Sequence, residues 1–185
     1  MSSPKKIYNF DPRDLPPDML SAIGLVVSCS SQTQYMLEAA IWGCLGLDTE
    51  YGMAITTHMP QPLRLNALKA TAEIKINDPA LLDELDDLIA DVNKSTDNRN
   101  AYSHQCWAID PETGEIFTQK ISARGSVSAG LIPQSIDKIK SEALEIYDAG
   151  IALWSFLARN NLIAPIPILR PRSHKTKAAR KKREK

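Results

Sequence analysis

Residues 81–104 read LLDELDDLIADVNKSTDNRNAYSH and combine a regular apolar spacing with a polar run. Its first half has apolar residues at every third or fourth position, at Leu81, Leu85, Leu88 and Val92. Such spacing predicts one buried face of an α-helix. The polar run that follows contains no glycine or proline, so we expect the helix to continue, or to restart with Asp97 as its cap.

Three further helices are predicted on either side of this stretch. The first follows Pro16-Pro17, the second follows the prolines at 60 and 62, and the last runs from Pro133 to about Asn160. Residues 108–122 change to a period near two around a Pro-Glu-Thr-Gly turn, which predicts a small β-hairpin. The sequence therefore predicts an all-α fold, a four-helix bundle with a small β-hairpin inserted before the last helix.

Two details of this prediction concern helix packing and breaks. The predicted apolar positions of the first helix include Leu20, Val27 and Leu45. Its middle, SCSSQTQ at residues 28–34, is small and polar, which allows another helix to approach closely. The glycines at 46 and 52 are interpreted as a break between helices, and GSVSAG at residues 125–130 as a flexible joint.

The two ends of the chain differ from its middle. We interpret residues 1–16 as an extended N-terminal arm, residues 17–162 as the helical domain and residues 163–185 as an extended basic tail. From residue 170 onward the chain has nine Lys or Arg and one acid, so 13 basic and 21 acidic residues precede it. The tail is therefore +8 and the rest of the chain −8. The candidate nucleic-acid-binding residues are Arg170, Arg172, Lys175, Lys177, Arg180, Lys181, Lys182 and Arg183. Such a basic segment cannot bury apolar area, so we expect a disordered arm whose charge binds either phosphates or the acidic domain itself.

Composition narrows the class of protein. A chain of 185 residues with 43% hydrophobic content suits one globular domain with a tail. The cysteines at 29, 44 and 106 have no CxxC spacing, so we expect small buried hydrophobes in a reducing compartment rather than disulfides or a zinc site. The N-terminus resembles no signal peptide, and no apolar run approaches the roughly 20 residues that span a bilayer. We expect a cytoplasmic protein without membrane contact, and predict no metal ion or cofactor.

Arg99, Asn100 and His104 are the candidate catalytic residues. Asn100 and His104 are four residues apart and share a helix face, while Arg99 lies about 140° around the axis from His104. A long arginine side chain can bridge that angle, so the three groups are predicted to share one cleft. A permanent cation beside an imidazole that exchanges a proton near neutral pH suits phosphate chemistry. The alternative is architectural, with Arg99 paired to Asp97 or another acid and His104 satisfied beneath Trp107.

The residues from Arg99 to His104 resemble the motif of a known family. An Arg, a polar residue, three further residues and a His form the motif of HEPN-domain ribonucleases, and here the motif reads RNAYSH at residues 99–104. The resemblance implies a HEPN-like helical bundle with the motif on its third main helix, and covers about residues 17–160 as architecture. Many toxin-type members carry a Tyr two residues after the His, where this chain has Cys106.

Two functions follow from the resemblance. The first is a metal-independent endoribonuclease in which His104 moves a proton of the 2′-hydroxyl, Arg99 holds the scissile phosphate and Asn100 orients one of them. The resemblance also implies a homodimer with a composite site, RNA as substrate, and a protein antitoxin or regulator as in toxin–antitoxin or defence systems. The second function is a non-catalytic HEPN-like module for dimerisation or for binding a partner or nucleotide.

Other residues carry weaker signals. Glu38 on the first helix is a possible partner for Arg99, although a surface glutamate is the simpler interpretation. His58 lies in a predicted loop without a second ligand at metal spacing, and is interpreted as an ordinary loop histidine. The sequence has no glycine-rich phosphate-binding loop, which disfavours nucleotide hydrolysis of the P-loop type.

Overall fold

Helices account for most of the chain in a computed structural model, which describes residues 6–122 and 127–164 apart from the side chains of Asp97 and Asn98. The α-helices are α1 (Pro17–Leu45), α2 (Thr49–Thr56), α3 (Gln61–Lys75), α4 (Pro79–His104) and α5 (Ile136–Arg159). The strands are β1 (Cys106–Ile109), β2 (Ile116–Ser122) and β3 (Ser128–Gln134). They form one antiparallel sheet in the order β1-β2-β3.

The predicted fold is correct in outline and differs in two elements. A mainly helical chain with a small antiparallel β element before the last helix is confirmed. Within the described ranges there are five α-helices instead of four, because α2 occupies the predicted break, and the sheet has a third strand. β3 takes up part of the predicted joint and pairs with β2, with Pro133 opposite Phe117. The last helix consequently begins at Ile136, where the Ser135 hydroxyl accepts a hydrogen bond from the Lys138 N–H at 3.3 Å.

α1 is the central helix of the core and contacts each of the other four helices. Its buried residues include Met19, Ala22, Val26 and Leu37, whereas Leu20, Val27 and Leu45, whose spacing predicted the helix, are exposed. Apolar residues occur all round α1, so their spacing predicts the helix but does not select its buried face. No helix in the described ranges is long and apolar enough to cross a membrane.

The small polar stretch of α1 allows α5 to approach closely, as predicted. Thr33 lies against Gly150 of α5, and a Cβ atom on that glycine would lie 2.5 Å from the Thr33 hydroxyl oxygen. The same hydroxyl is within hydrogen-bond distance of the Ile146 carbonyl oxygen at 3.3 Å and of the Cys29 carbonyl oxygen at 3.1 Å. A larger residue at either position would separate the two helices.

Gly43 of α1 provides a test of this packing against a matched position in the same helix. A Cβ atom on Gly43 would lie 2.1 Å from the backbone oxygen of Leu162, whereas one on Gly24 would meet nothing within 4 Å. We expect Gly43→Ala to lower the free energy of unfolding by about 2–3 kcal/mol, because a backbone segment must move. Gly24→Ala should be neutral or stabilise by up to about 1 kcal/mol through helix propensity. Urea unfolding of both variants checks this, and equal stabilities would contradict the described packing of Leu162.

The N-terminal arm lies against the sheet. Asn9 forms an antiparallel bridge with Ile109 of β1, with N–O distances of 2.9 and 2.8 Å, and Tyr8 contacts Phe117 of β2 edge to face. Lys6 forms an ion pair with the buried Asp110 carboxylate. The hydrogen bond from Lys6 lowers the pKa of Asp110 to about 2. The arm thus fixes β1, the strand that directly follows α4.

α4 links the core to the polar motif. It begins at Pro79, where the Asp78 carboxylate accepts a hydrogen bond from the Ala80 N–H at 2.9 Å. Leu85, Ile89 and Val92 are buried in the core. The helix continues without interruption to His104, as predicted, and does not restart at Asp97. A single residue, Gln105, then leads into β1, so the motif is held between the helical core and the sheet.

Candidate functional site

The three predicted catalytic residues lie in the last turns of α4. Arg99 is partly exposed, and Asn100 and His104 are exposed. Arg99 Nη1 donates a hydrogen bond to Asn100 Oδ1 at 3.2 Å. The described part of the chain gives His104 no hydrogen-bond or ion-pair partner, so its imidazole is open to solvent and to a ligand.

The motif lies between two adjoining cavities. Asn100 and His104 line a cavity of about 810 Å³ formed by the end of α4, the sheet and the start of α5, here called the histidine cavity. Arg99 and Asn100 line a cavity of about 340 Å³ between α1, α3 and α4, here called the arginine cavity. The sequence predicted one cleft for all three side chains. Within one chain, however, Arg99 and His104 lie on different sides of α4 and line different cavities, with Asn100 between them.

The histidine cavity contains further cations that the motif does not include. Lys120 of β2 and Lys138 of α5 line it together with His104. The Glu142 carboxylate also lines it and lies 4.0 Å from the Lys138 ammonium. Two ammonium groups therefore line the same cavity as the imidazole, although the domain as a whole is acidic.

Tyr102 lines the histidine cavity together with His104. Its buried ring stacks on Trp107 with the centroids 6.1 Å apart, and its hydroxyl donates a hydrogen bond to Glu142. Burial, together with the Glu142 carboxylate, raises the pKa of the Tyr102 hydroxyl well above its usual range. The phenol therefore stays protonated at physiological pH and acts as a hydrogen-bond donor.

The structure does not place His104 beneath Trp107, as the architectural alternative expected. Trp107 stacks on Tyr102, and its indole N–H donates to the Tyr102 carbonyl oxygen at 3.3 Å, while His104 is exposed rather than buried beneath the indole. The alternative partner of Arg99, the Asp97 side chain, lies outside the described residues. Glu38 does not bond Arg99 in the described structure and pairs with Arg64 instead.

Arg64 is a functional candidate that the sequence interpretation missed. Its side chain lines the arginine cavity, is almost entirely buried, and lies 2.7 Å from Glu38 Oε1. Gln61 donates a hydrogen bond to the Thr96 hydroxyl, which joins the start of α3 to α4 beside Arg99. A signal for Arg64 is present in the sequence, since Arg64, Leu68 and Ala72 are four residues apart and the arginine falls on the apolar face of α3.

The remaining candidates give smaller corrections. Cys29 and Cys44 are buried, as predicted, and burial raises the pKa of both thiols, but Cys106 is exposed because it begins β1 on the solvent side. His58 is exposed just after α2, in agreement with a loop histidine. No group of three or more His, Cys, Asp or Glu within the described ranges is arranged to hold a metal ion. The eight basic tail residues lie outside the described residues.

Comparison of the chain with protein-family models, with curated proteins and with solved structures found no match. The functional assignment therefore depends on the chemistry of the two cavities and on the motif.

Proposed function

We propose that the chain is a metal-independent endoribonuclease of HEPN type, built on a HEPN-like helical bundle. The observation that carries this proposal is an exposed His104 that has no partner among the described residues. It lines a cavity together with Lys120 and Lys138, and this cavity shares Asn100 with the cavity of Arg99. An open imidazole beside fixed cations combines proton transfer with binding of a phosphate.

The proposed reaction uses the 2′-hydroxyl of the RNA as the nucleophile. An imidazole removes the hydroxyl proton, the 2′-oxygen attacks the adjacent phosphorus, and the bond to the 5′-oxygen of the next nucleotide breaks as that oxygen takes up a proton. The products are a 2′,3′-cyclic phosphate and a 5′-hydroxyl end. Arg99 stabilises the negative charge that develops on the phosphate oxygens, and Asn100 holds the guanidinium through the hydrogen bond to its Oδ1.

The proposed active unit is a homodimer. One chain offers a single imidazole on this helix, and its Arg99 lines the neighbouring cavity, so two facing motif helices would supply one imidazole for each proton transfer. Ile121 lines the histidine cavity and is 65% exposed, so it is an apolar residue that a second copy would cover. Light scattering at micromolar concentration should give twice the mass of one chain, and a monomer would contradict the composite site.

Substitutions of Arg99 should distinguish the effect of its positive charge from that of its planar guanidinium group. We expect Arg99→Ala to lower both the cleavage rate and RNA affinity, and Arg99→Lys to restore little of the rate, because an ammonium does not reproduce the planar fork of the guanidinium. The measurements are single-turnover cleavage and RNA binding. Arg159→Ala is the matched control, because Arg159 pairs with Glu84 about 30 Å from His104 along α4. Full activity of Arg99→Lys would contradict the role proposed for the guanidinium.

A second candidate function is a non-catalytic HEPN-like module that binds a partner or a nucleotide. The charge of the first 169 residues favours it, since a surplus of eight acids opposes a polyanion. Incubation of the purified chain with a mixed RNA pool in EDTA distinguishes the two functions. Cleavage that the Arg99 and His104 substitutions remove supports the ribonuclease, and binding without cleavage supports the module.

A further inference from the structure

Two arginines that line the arginine cavity each carry a side-chain N–H that has no acceptor among the described residues. Arg64 Nε and Arg99 Nε are both buried atoms with no partner in the part of the chain that the structure describes. Arg64 is 7% exposed and is paired with Glu38 through its Nη2, so the ion pair leaves its Nε without an acceptor. Buried donors of this kind are costly unless an acceptor completes them.

The rest of the lining indicates what kind of ligand would complete them. Its other polar residues are uncharged amides or hydroxyls, at Gln34, Gln61, Asn93, Thr96 and Asn100. Its apolar residues are Met59, Pro60 and Pro62. No carboxylate belongs to this described lining. A volume of about 340 Å³ is near the lower end of small-ligand pockets and suits a planar ring system packed on the apolar residues.

We propose that the arginine cavity binds one unpaired keto base of the RNA strand, uracil or guanine, beside the cut. Uracil and guanine present carbonyl oxygens to such donors where cytosine and adenine present an amino group. Asn100 lines both cavities, so a strand with its phosphate near His104 reaches the arginine cavity with a neighbouring nucleotide. This inference rests on the proposed ribonuclease and names its base preference.

Binding of uncleavable oligonucleotides tests the base preference without relying on catalysis. We would titrate the full chain into fluorescent 2′-O-methyl tetranucleotides of uridine and of cytidine, in which methylation blocks attack by the 2′-oxygen. The uridine probe should bind at least about five-fold more tightly, the lower end of what one well-formed base contact provides. Equal affinities would overturn the proposal.

Variants locate the preference in the cavity. The double variant E38Q/R64M changes both partners of the ion pair, which avoids leaving one buried charge alone, and should bring the uridine-to-cytidine ratio close to one. Gln34→Ala is a milder change in the same lining and should lower the ratio about two- to five-fold. Gln32→Ala, two residues away on the exposed side of α1, is the matched control and should keep the wild-type ratio. A ratio unchanged in Gln34→Ala and in the double variant would overturn the assignment.

The outcomes also separate this inference from the proposed function. RNA cleavage by the wild-type chain with no uridine preference would overturn the base assignment and leave the ribonuclease standing. A uridine preference that depends on Arg64, without cleavage of any RNA, would support the base site and overturn the ribonuclease.

Discussion

Replacing His104 by alanine should lower the rate of RNA cleavage about 10²- to 10⁴-fold, the usual contribution of a positioned general acid or base. RNA affinity should change little, because Lys120, Lys138 and Arg99 remain. The melting temperature should also be retained, since the exposed imidazole has no bonding partner in the described residues. Single-turnover cleavage, filter binding and thermal unfolding on the same preparation measure the three quantities.

His58→Ala is the matched control for this experiment. His58 is also exposed but lies after α2, outside the lining of both cavities, so its removal should leave cleavage unchanged. Two results would count against a catalytic His104. One is wild-type activity in His104→Ala, and the other is a loss of folding stability that accounts for the lost activity.

The largest expected effect on stability is that of Trp42→Ala, which should lower the free energy of unfolding by about 3–5 kcal/mol. Trp42 is 1% exposed and lies where α1 meets α2. Its indole N–H donates to the Thr56 hydroxyl at 3.0 Å, and its ring fills the space above Gly52, where a Cβ atom would lie 2.4 Å from the ring. Truncation would leave a cavity and remove the indole donor, so the Thr56 hydroxyl would keep only its own bond to the Gly52 carbonyl oxygen at 3.1 Å.

Two further variants make the Trp42 test specific. Trp42→Phe retains most of the ring volume, so it should cost clearly less than the alanine variant. Trp154→Ala removes an equally large but only partly buried side chain of α5, so it should also cost less. Urea unfolding compares the four proteins, and a Trp42→Ala variant as stable as the wild type would contradict the described docking of α2.

Helices with a regular apolar period were predictable from the sequence. α4 has its stripe and no internal breaker, and α5 buries most of the predicted positions, Ile139, Ala143, Ile146, Gly150, Leu153 and Leu157. In both helices the predicted apolar positions fall on one face, so local spacing identifies the side that packs. α1 was predicted as a helix, but the face that it buries was not, because its apolar residues occur all round the helix axis.

α2 and β3 depend on contacts that local sequence does not contain. α2 has only eight residues, includes Gly52, and is docked by Trp42 from another helix. Helices this short are only marginally stable by themselves, so tertiary packing decides whether α2 forms. β3 contains Gly130 and Pro133, which predict a loop or a helix start, yet pairing along β2 makes them part of a strand.

The candidate site was predictable only where it is local. Arg99, Asn100 and His104 lie within six residues, and their positions on one helix follow from its period. Lys120, Lys138 and Arg64 come from other elements, and only the tertiary fold brings them to the two cavities. The division of the motif between those cavities also depends on how α1, α3 and the sheet flank α4.

The one-residue connection between α4 and β1 limits how the site can move. His104 ends the helix and Cys106 begins the strand, while Asn9 holds that strand on its other side. With no loop to flex, thermal motion of the imidazole is confined to its side-chain rotamers unless α4 and the sheet shift together. Because the imidazole is already exposed, a substrate would reach His104 without a local opening step and would meet a ring held in a nearly constant position.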